Sequence, residues 1–272
     1  MDRLIITPPR RTPLPPFRDM WRAREVFWRF GMRDILLRYR QTVIGVAWVI
    51  LQPLVAAGVF AIIFGQVAKL PSGGLPYFVF SFAGLLGWNL FNGVIGRAST
   101  SLVANQSLVA KIFFPRLLIP ASSVLSVLLD FVVALVLMIV LLFVYHINPG
   151  WAILLLPFWI LFAVLLGLGV GIAAAALMVK YRDVGYVLPW LLQILFYVTP
   201  VAYSVDAVPP QLAWVFEANP LTWLIEGFRW SLLGQAPPPL WQLIGLVVVS
   251  FAVLAGGLLV FQKLERGFAD VI

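Results

Sequence analysis

Few side chains in this 272-residue sequence could do covalent chemistry. His146 is the only histidine and there is no cysteine, so thiolate chemistry, Cys- or His-based metal clusters and Ser-His-Asp triads are excluded. A P-loop needs a glycine followed by lysine and then Ser or Thr, and none of the four lysines (Lys69, Lys111, Lys180, Lys263) follows a glycine. If nucleotide powers this protein, another chain binds it. Asp206, Glu217 and Glu226 are too scattered for the clustered carboxylates of a membrane-bound transferase. Asp130 is the only carboxylate deep inside an apolar stretch, where an acid is costly and raises the possibility of ion-coupled transport. With no Lys or Arg in the neighbouring apolar stretches it makes a poor proton relay. Pairing with a Ser, Thr or Tyr of a neighbouring helix explains it as well.

Uncharged polar groups in apolar surroundings are the next candidates. Gln52-Pro53 puts an amide and a proline-freed carbonyl in one apolar run, and Gln193 with Thr199-Pro200 does the same in another. Such helices should face other helices or a pathway rather than lipid. Trp48, Phe60 and Phe64 share the first of these helices, and Phe196, Tyr197 and Tyr203 the second. A path lined by these rings suits sugars, whose C–H faces stack on aromatic surfaces, although aromatics at helical spacing are more often core. Trp88, Trp151 and Trp241 fall near span ends and are expected in interfacial belts. Gly167, Gly169 and Gly171, followed by Ala173–Ala176, read as a small-residue packing face rather than a site.

The elements that must hold these residues follow from composition. The chain is 62% hydrophobic and 11% charged, against about 45–50% and about 25% in a soluble globular domain. A water-soluble enzyme is ruled out, and the missing polar surface must face lipid. Six apolar stretches reach the length of about 20 residues that a helix needs to cross a bilayer: 43–67, 76–95, 117–146, 151–179, 184–203 and 241–262. The net charge of +8 is very uneven. Ten arginines precede residue 42, and with Arg97, Lys111, Arg116, Lys180, Arg182, Lys263 and Arg266 they put 17 positive charges on one side, against Lys69 and Arg229 on the other. The positive side is cytoplasmic, so both termini are expected inside.

Between the last two spans, Pro209-Pro210, Asn219-Pro220 and Pro237–Pro239 cut an apolar stretch into pieces too short to cross. These read as two short helices, 211–218 and 221–233, dipping into or lying on the outer leaflet, with Glu226 and Arg229 at pairing distance. Residues 17–41 carry an apolar stripe (Phe17, Trp21, Trp28, Met32, Ile35, Tyr39) beside an arginine stripe (Arg18, Arg22, Arg29, Arg33, Arg40). That pattern predicts an interfacial helix on the anionic inner leaflet, interrupted at Gly31 or continuous; a solvated basic arm is the alternative. The expected organisation is a basic, Pro-rich extension (1–16), the interfacial helix (17–41), an all-α transmembrane domain (42–266) and a short tail (267–272).

Four stretches carry a family resemblance across essentially the whole chain. Residues 33–45, from Arg33 through Arg38-Tyr39-Arg40 to Gly45, running on to Trp48 and Leu51-Gln52-Pro53-Leu54, resemble the start of the first span in ABC-2-type permeases that export bacterial polysaccharides. Residues 105–120 resemble that family's cytoplasmic loop, Tyr181-Arg182-Asp183 through Phe196–Val201 its fifth span, and Asn219-Pro220-Leu221 with Phe228-Arg229 its outer gate. The resemblance implies a homodimer with two copies of a separate ATPase that binds ATP and Mg, and no cofactor in this chain. It further implies a loop that docks on the ATPase through Asn105, Lys111, Phe113 and Arg116. Arg33, Arg38, Tyr39 and Arg40 would form a cytoplasmic gate, and Trp214, Asn219, Glu226 and Arg229 an outer gate. The cargo would be a lipid-linked polysaccharide such as O-antigen on undecaprenyl diphosphate, crossing the inner membrane through a channel lined by the first and fifth spans.

Overall fold

A computed structural model of the chain describes residues 21, 23–39, 46–111, 114–265, 267 and 268. The described residues contain no strand. Helix α1 (Arg24–Tyr39) precedes α2 (Val46–Phe60), which continues through a π-helical turn at Ala61–Val67. Then come α3 (Tyr77–Ala104), the short α4 (Gln106–Lys111) and α5 (Leu118–Ser122), α6 (Val124–Val144), α7 (Leu156–Lys180) and α8 (Val184–Val198). Two short helices, α9 (Ala213–Glu217) and α10 (Pro220–Leu233), lead to α11 (Leu240–Glu265).

Among the described residues, five helical stretches are long and apolar enough to cross a membrane: Ala47–Val67, Tyr77–Ala104, Leu118–Val144, Gly150–Lys180 and Leu240–Glu265. The expected fifth of six spans falls short. Helix α8 has 15 residues, about 22 Å at 1.5 Å per residue, and unwinds at Thr199-Pro200 into turns. Proline cannot supply the N–H that would continue the ladder, and it disfavours helical backbone in the residue before it.

The core is built on α3, which packs against α2, α6, α7 and α10, while α7 is also pressed along α11. The glycines of α7 explain how closely these helices approach. Gly167 and Gly171 lie against α3, where a Cβ would come within 2.9 Å of the Val94 side chain and 2.7 Å of the Ala98 Cβ. Gly169 faces the backbone of α11 on the opposite side. One helix thus carries two small-residue faces, which brings three backbones into van der Waals range without directional chemistry.

Helix α10 does not lie on the surface. Eleven of its 14 residues are buried, because its two flanks meet α3 and α7, and its C-terminal half meets Trp159. It begins with Asn219, whose Oδ1 accepts the Leu221 N–H at 3.0 Å, and ends at Gly234, where φ is +66° and the N–H closes onto the Trp230 carbonyl. Trp159 donates its indole N–H to Ser231 Oγ at 2.8 Å in the interior. Ser231→Ala should therefore cost about 1–3 kcal/mol by stranding that donor, read as a lower midpoint of thermal unfolding in detergent.

Candidate functional site: polar cavities along α3

The polar groups of the spans converge on one face of α3. Asn89, Asn92, Gly96 and Thr100 recur every three or four residues and therefore share a stripe. Two cavities of about 530 Å³ each open along it and share Asn92, Gly96 and Thr100 as walls. The first lies between α1, α2, α3 and α6 and is lined by Gln52, Asn89, Arg97, Arg38 and Asp130. The second lies towards α8 and is lined by Trp88, Gln193, Phe196 and Tyr197. The two glutamines that marked the first and fifth apolar stretches thus each face a cavity, which satisfies an amide far more cheaply than lipid would.

Asp130 is not solitary. Its carboxylate is ion-paired with Arg38, from the end of α1. The sequence hides this because Arg38 precedes the first apolar run, where a cytoplasmic surface position is expected, whereas the end of α1 packs onto α6. Arg97 also differs from its expected place in a loop. It sits inside α3, seven residues before the helix ends at Ala104, and faces the same cavity.

Four of the six aromatic candidates come together and two stand apart. Phe60 contacts Phe64 (centroids 5.8 Å apart) and stacks on Phe196 (6.0 Å), which in turn meets Tyr197 (5.7 Å). Trp88 joins this cluster edge-on to Phe196 at 5.2 Å and is only 5% exposed, so it belongs to the packed interior rather than an interfacial belt. Trp48 projects outward from α2 with half its surface exposed. Tyr203 lies beyond the break, donating its hydroxyl to the Tyr197 carbonyl at 2.8 Å and packing near Phe216 at 6.2 Å.

The cytoplasmic-loop candidates are held between the two ends of the chain. Helix α1 is continuous through Gly31, whose missing side chain lets α1 cross α6 against Leu125. Beside this crossing, Phe30 packs on Phe114 with centroids 5.4 Å apart, and Arg33 donates to Asn105 Oδ1. Asn105 also donates to the Ser101 carbonyl at 2.8 Å. From the other side, Arg116 donates to the Glu265 carbonyl at 3.2 Å and lies over the Phe268 ring. Arg40 and Phe113 lie outside the described residues, and of Tyr39 and Lys111 only the backbone is described.

At the opposite end, Arg229 does not form the expected ion pair with Glu226. It donates to the carbonyls of Val201 (2.8 Å) and Tyr203 (3.2 Å), and its guanidinium lies 3.8 Å from the Phe80 ring centroid. Those carbonyls are orphans of the unwound segment after α8. Tyr77 caps a third by donating to the Ala202 carbonyl at 2.8 Å, and Asn219 donates to Thr199 Oγ1 at 3.0 Å. Burial draws the Arg229 guanidinium down to about 9, leaving it charged at neutral pH, and pushes the Glu226 carboxyl upward. Trp214, on α9, is exposed. The outer candidates therefore divide into two staples of the irregular segment, Asn219 and Arg229, and two residues, Trp214 and Glu226, whose side chains do not hydrogen-bond to it.

The α3 stripe and Arg97 were missed from sequence. The signal is there: polar or small residues at positions 89 and 92 of the 76–95 run, continued at 96 and 100 just beyond it, at the spacing that keeps a helix face.

Comparison with known proteins agrees with this architecture. The family model described as ABC-2 type transporter matches residues 25–233. The chain is similar to the O-antigen export system permease protein RfbA of Klebsiella pneumoniae, 29% identical over 88% of this chain and 92% of the relative. Its namesake in Myxococcus xanthus is 27% identical over 94% and 98%. The polysialic acid transport protein KpsM of Escherichia coli is 24% identical over 74% and 79%. A model match over most of the length, on a chain whose described residues are helical with five span-length helices among them, places this chain in the ABC-2 type transporter family.

Proposed function

We propose that this chain is the transmembrane subunit of an ATP-driven exporter that moves a lipid-linked polysaccharide, O-antigen on undecaprenyl diphosphate, across a bacterial inner membrane. Two copies form the channel, and two copies of a separate ATPase hold ATP and Mg. The observation that carries this reading is the polar stripe of α3, left open between two sparsely covered helices, α2 and α8. Helix α2 buries only Pro53 and Ala57 among its described residues, and α8 buries none. Their exposed faces are apolar, including Trp48, Val55, Tyr186 and Trp190, as expected of surfaces awaiting a second copy. The O-antigen permeases named above match over nearly their whole length, which supports the cargo.

In this reading α8 completes a sixth crossing together with the irregular segment 199–203. Non-helical backbone is tolerated at membrane depth only where protein satisfies it, and the donors on Tyr77, Asn219 and Arg229 do so. Both termini and the loop 104–117 then lie in the cytoplasm. That loop, clamped by α1 and by the end of α11, is the docking surface for the ATPase, so a push on it reaches α1 directly.

The test is reconstitution in vesicles with the candidate ATPase. Export of polymer and stimulated ATP hydrolysis should need both subunits, and substitution of Lys111 or Phe113 should lower export on the order of tenfold, the scale of a lost inter-site coupling. Export that survives omission of the ATPase overturns the reading.

A further inference from the structure

The first cavity holds two arginines and one carboxylate, and its other polar walls are neutral amides and a hydroxyl. Arg38 and Asp130 keep 30% and 20% of their side-chain surface open, so the ion pair is reachable from the cavity rather than sealed in the core. A guanidinium at low dielectric is costly without a counter-charge, on the order of several kcal/mol. Asp130 supplies that charge to Arg38.

We propose that the Arg38–Asp130 pair is an anion-displaceable latch: the cavity takes a phosphate ester or phosphoanhydride, which draws Arg38 away from Asp130 and is held by Arg38 and Arg97. Guanidinium forks match phosphate oxygens bidentately, and the amides of Asn89, Asn92 and Gln52 can donate to those that remain. The inference rests on the export reading, which supplies a lipid diphosphate as its ligand.

The resident carboxylate also limits how tightly that ligand binds. A transport site must release its cargo each cycle, and Asp130 competes for Arg38 as soon as the anion loosens. Arg38 lies on the same helix as Phe30 and Arg33, which rest on the cytoplasmic loop. Headgroup arrival and the position of that loop are therefore joined through α1.

The experiment uses the full chain in nanodiscs of zwitterionic lipid, with geranyl diphosphate, inorganic pyrophosphate and geraniol as probes and equilibrium dialysis as the readout. Asp130→Asn should bind geranyl diphosphate about tenfold more tightly than the parent, even though it loses an ion pair and melts at a lower temperature. Asp130→Glu, which keeps the pair, should retain the parent affinity. Arg97→Gln should lose at least tenfold, and geraniol should not compete. The same gain with inorganic pyrophosphate identifies the free anion as sufficient, and a gain confined to geranyl diphosphate identifies the lipid headgroup; both support the latch. Unchanged or weaker binding by Asp130→Asn, or competition by geraniol, overturns it. If the export reading alone fails, this binding series is unaltered while ATP-driven export by the reconstituted pair is absent. If the latch alone fails, export persists and the Asp130→Asn gain is missing.

Discussion

Gly257→Val should abolish the folded protein, whereas Gly256→Val, one residue earlier on the same helix, should be tolerated. A Cβ at Gly257 would run into the backbone carbonyl of Gly169, and a Cβ at Gly169 would come within 2.7 Å of the Leu254 nitrogen and the Val253 carbonyl. The obstacle on each side is main chain, which has no alternative rotamer. Only separation of α7 from α11 relieves the clash, and because α7 is pressed against α3 on its other face, separation loosens three helices at once. Overpacking costs about 1–3 kcal/mol where side chains can adjust; against backbone the cost reaches or exceeds the top of that range. Nothing lies within 4 Å of a Cβ at Gly256, so the control substitution meets open space. The check is the monodisperse fraction after heating in detergent. Equal loss for both variants would refute the account of the crossing.

Arg229→Met should be the most damaging single change at the outer end. Methionine fills the place beside Phe80 but donates nothing, so the Val201 and Tyr203 carbonyls lose their partner. Each stranded carbonyl costs about 1–3 kcal/mol, and the segment after α8 loses the group that fixes its path. Arg229→Lys keeps the charge without the fork or the flat face over Phe80, and should recover only part of the loss. Thermal unfolding of the two variants, compared with Glu226→Gln, separates the readings. If a Glu226–Arg229 ion pair held this end together, Glu226→Gln would destabilise as much as Arg229→Met; with Arg229 bonded to the Val201 and Tyr203 carbonyls instead, it should be mild.

What sequence could show and what it could not divide along physical lines. Length of apolar runs, positive charge and proline punctuation are local quantities. They were enough to find five span-length helices, the short pieces around Asn219-Pro220 and the packing role of Gly167, Gly169 and Gly171. Partners across the fold are not local. Nothing in the spacing of Arg38 and Asp130, 92 positions apart, announces that α1 folds back onto α6, and nothing in Arg229 says that its acceptors belong to another helix's frayed end rather than to Glu226. Gly31 was weighed as an interruption because glycine weakens helices; here it permits a crossing, which only the position of Leu125 reveals. The polar stripe of α3 was legible but overlooked, since that run was judged by its length and not by its faces.

The shortness of α8 has an elastic consequence. At about 22 Å the helical part of this crossing is some 8 Å shorter than the hydrocarbon core of a typical bilayer, and its uncovered side is apolar, with Tyr186 and Trp190 exposed. Lipid bordering a lone copy must compress to meet it, at fractions of a kcal/mol per Å and so a few kcal/mol in all. In the proposed dimer, a second copy laid along α8 would remove that border and the deformation with it. A helix too short to cross comfortably alone would thus give the membrane itself a stake in that pairing, independent of any contact between side chains.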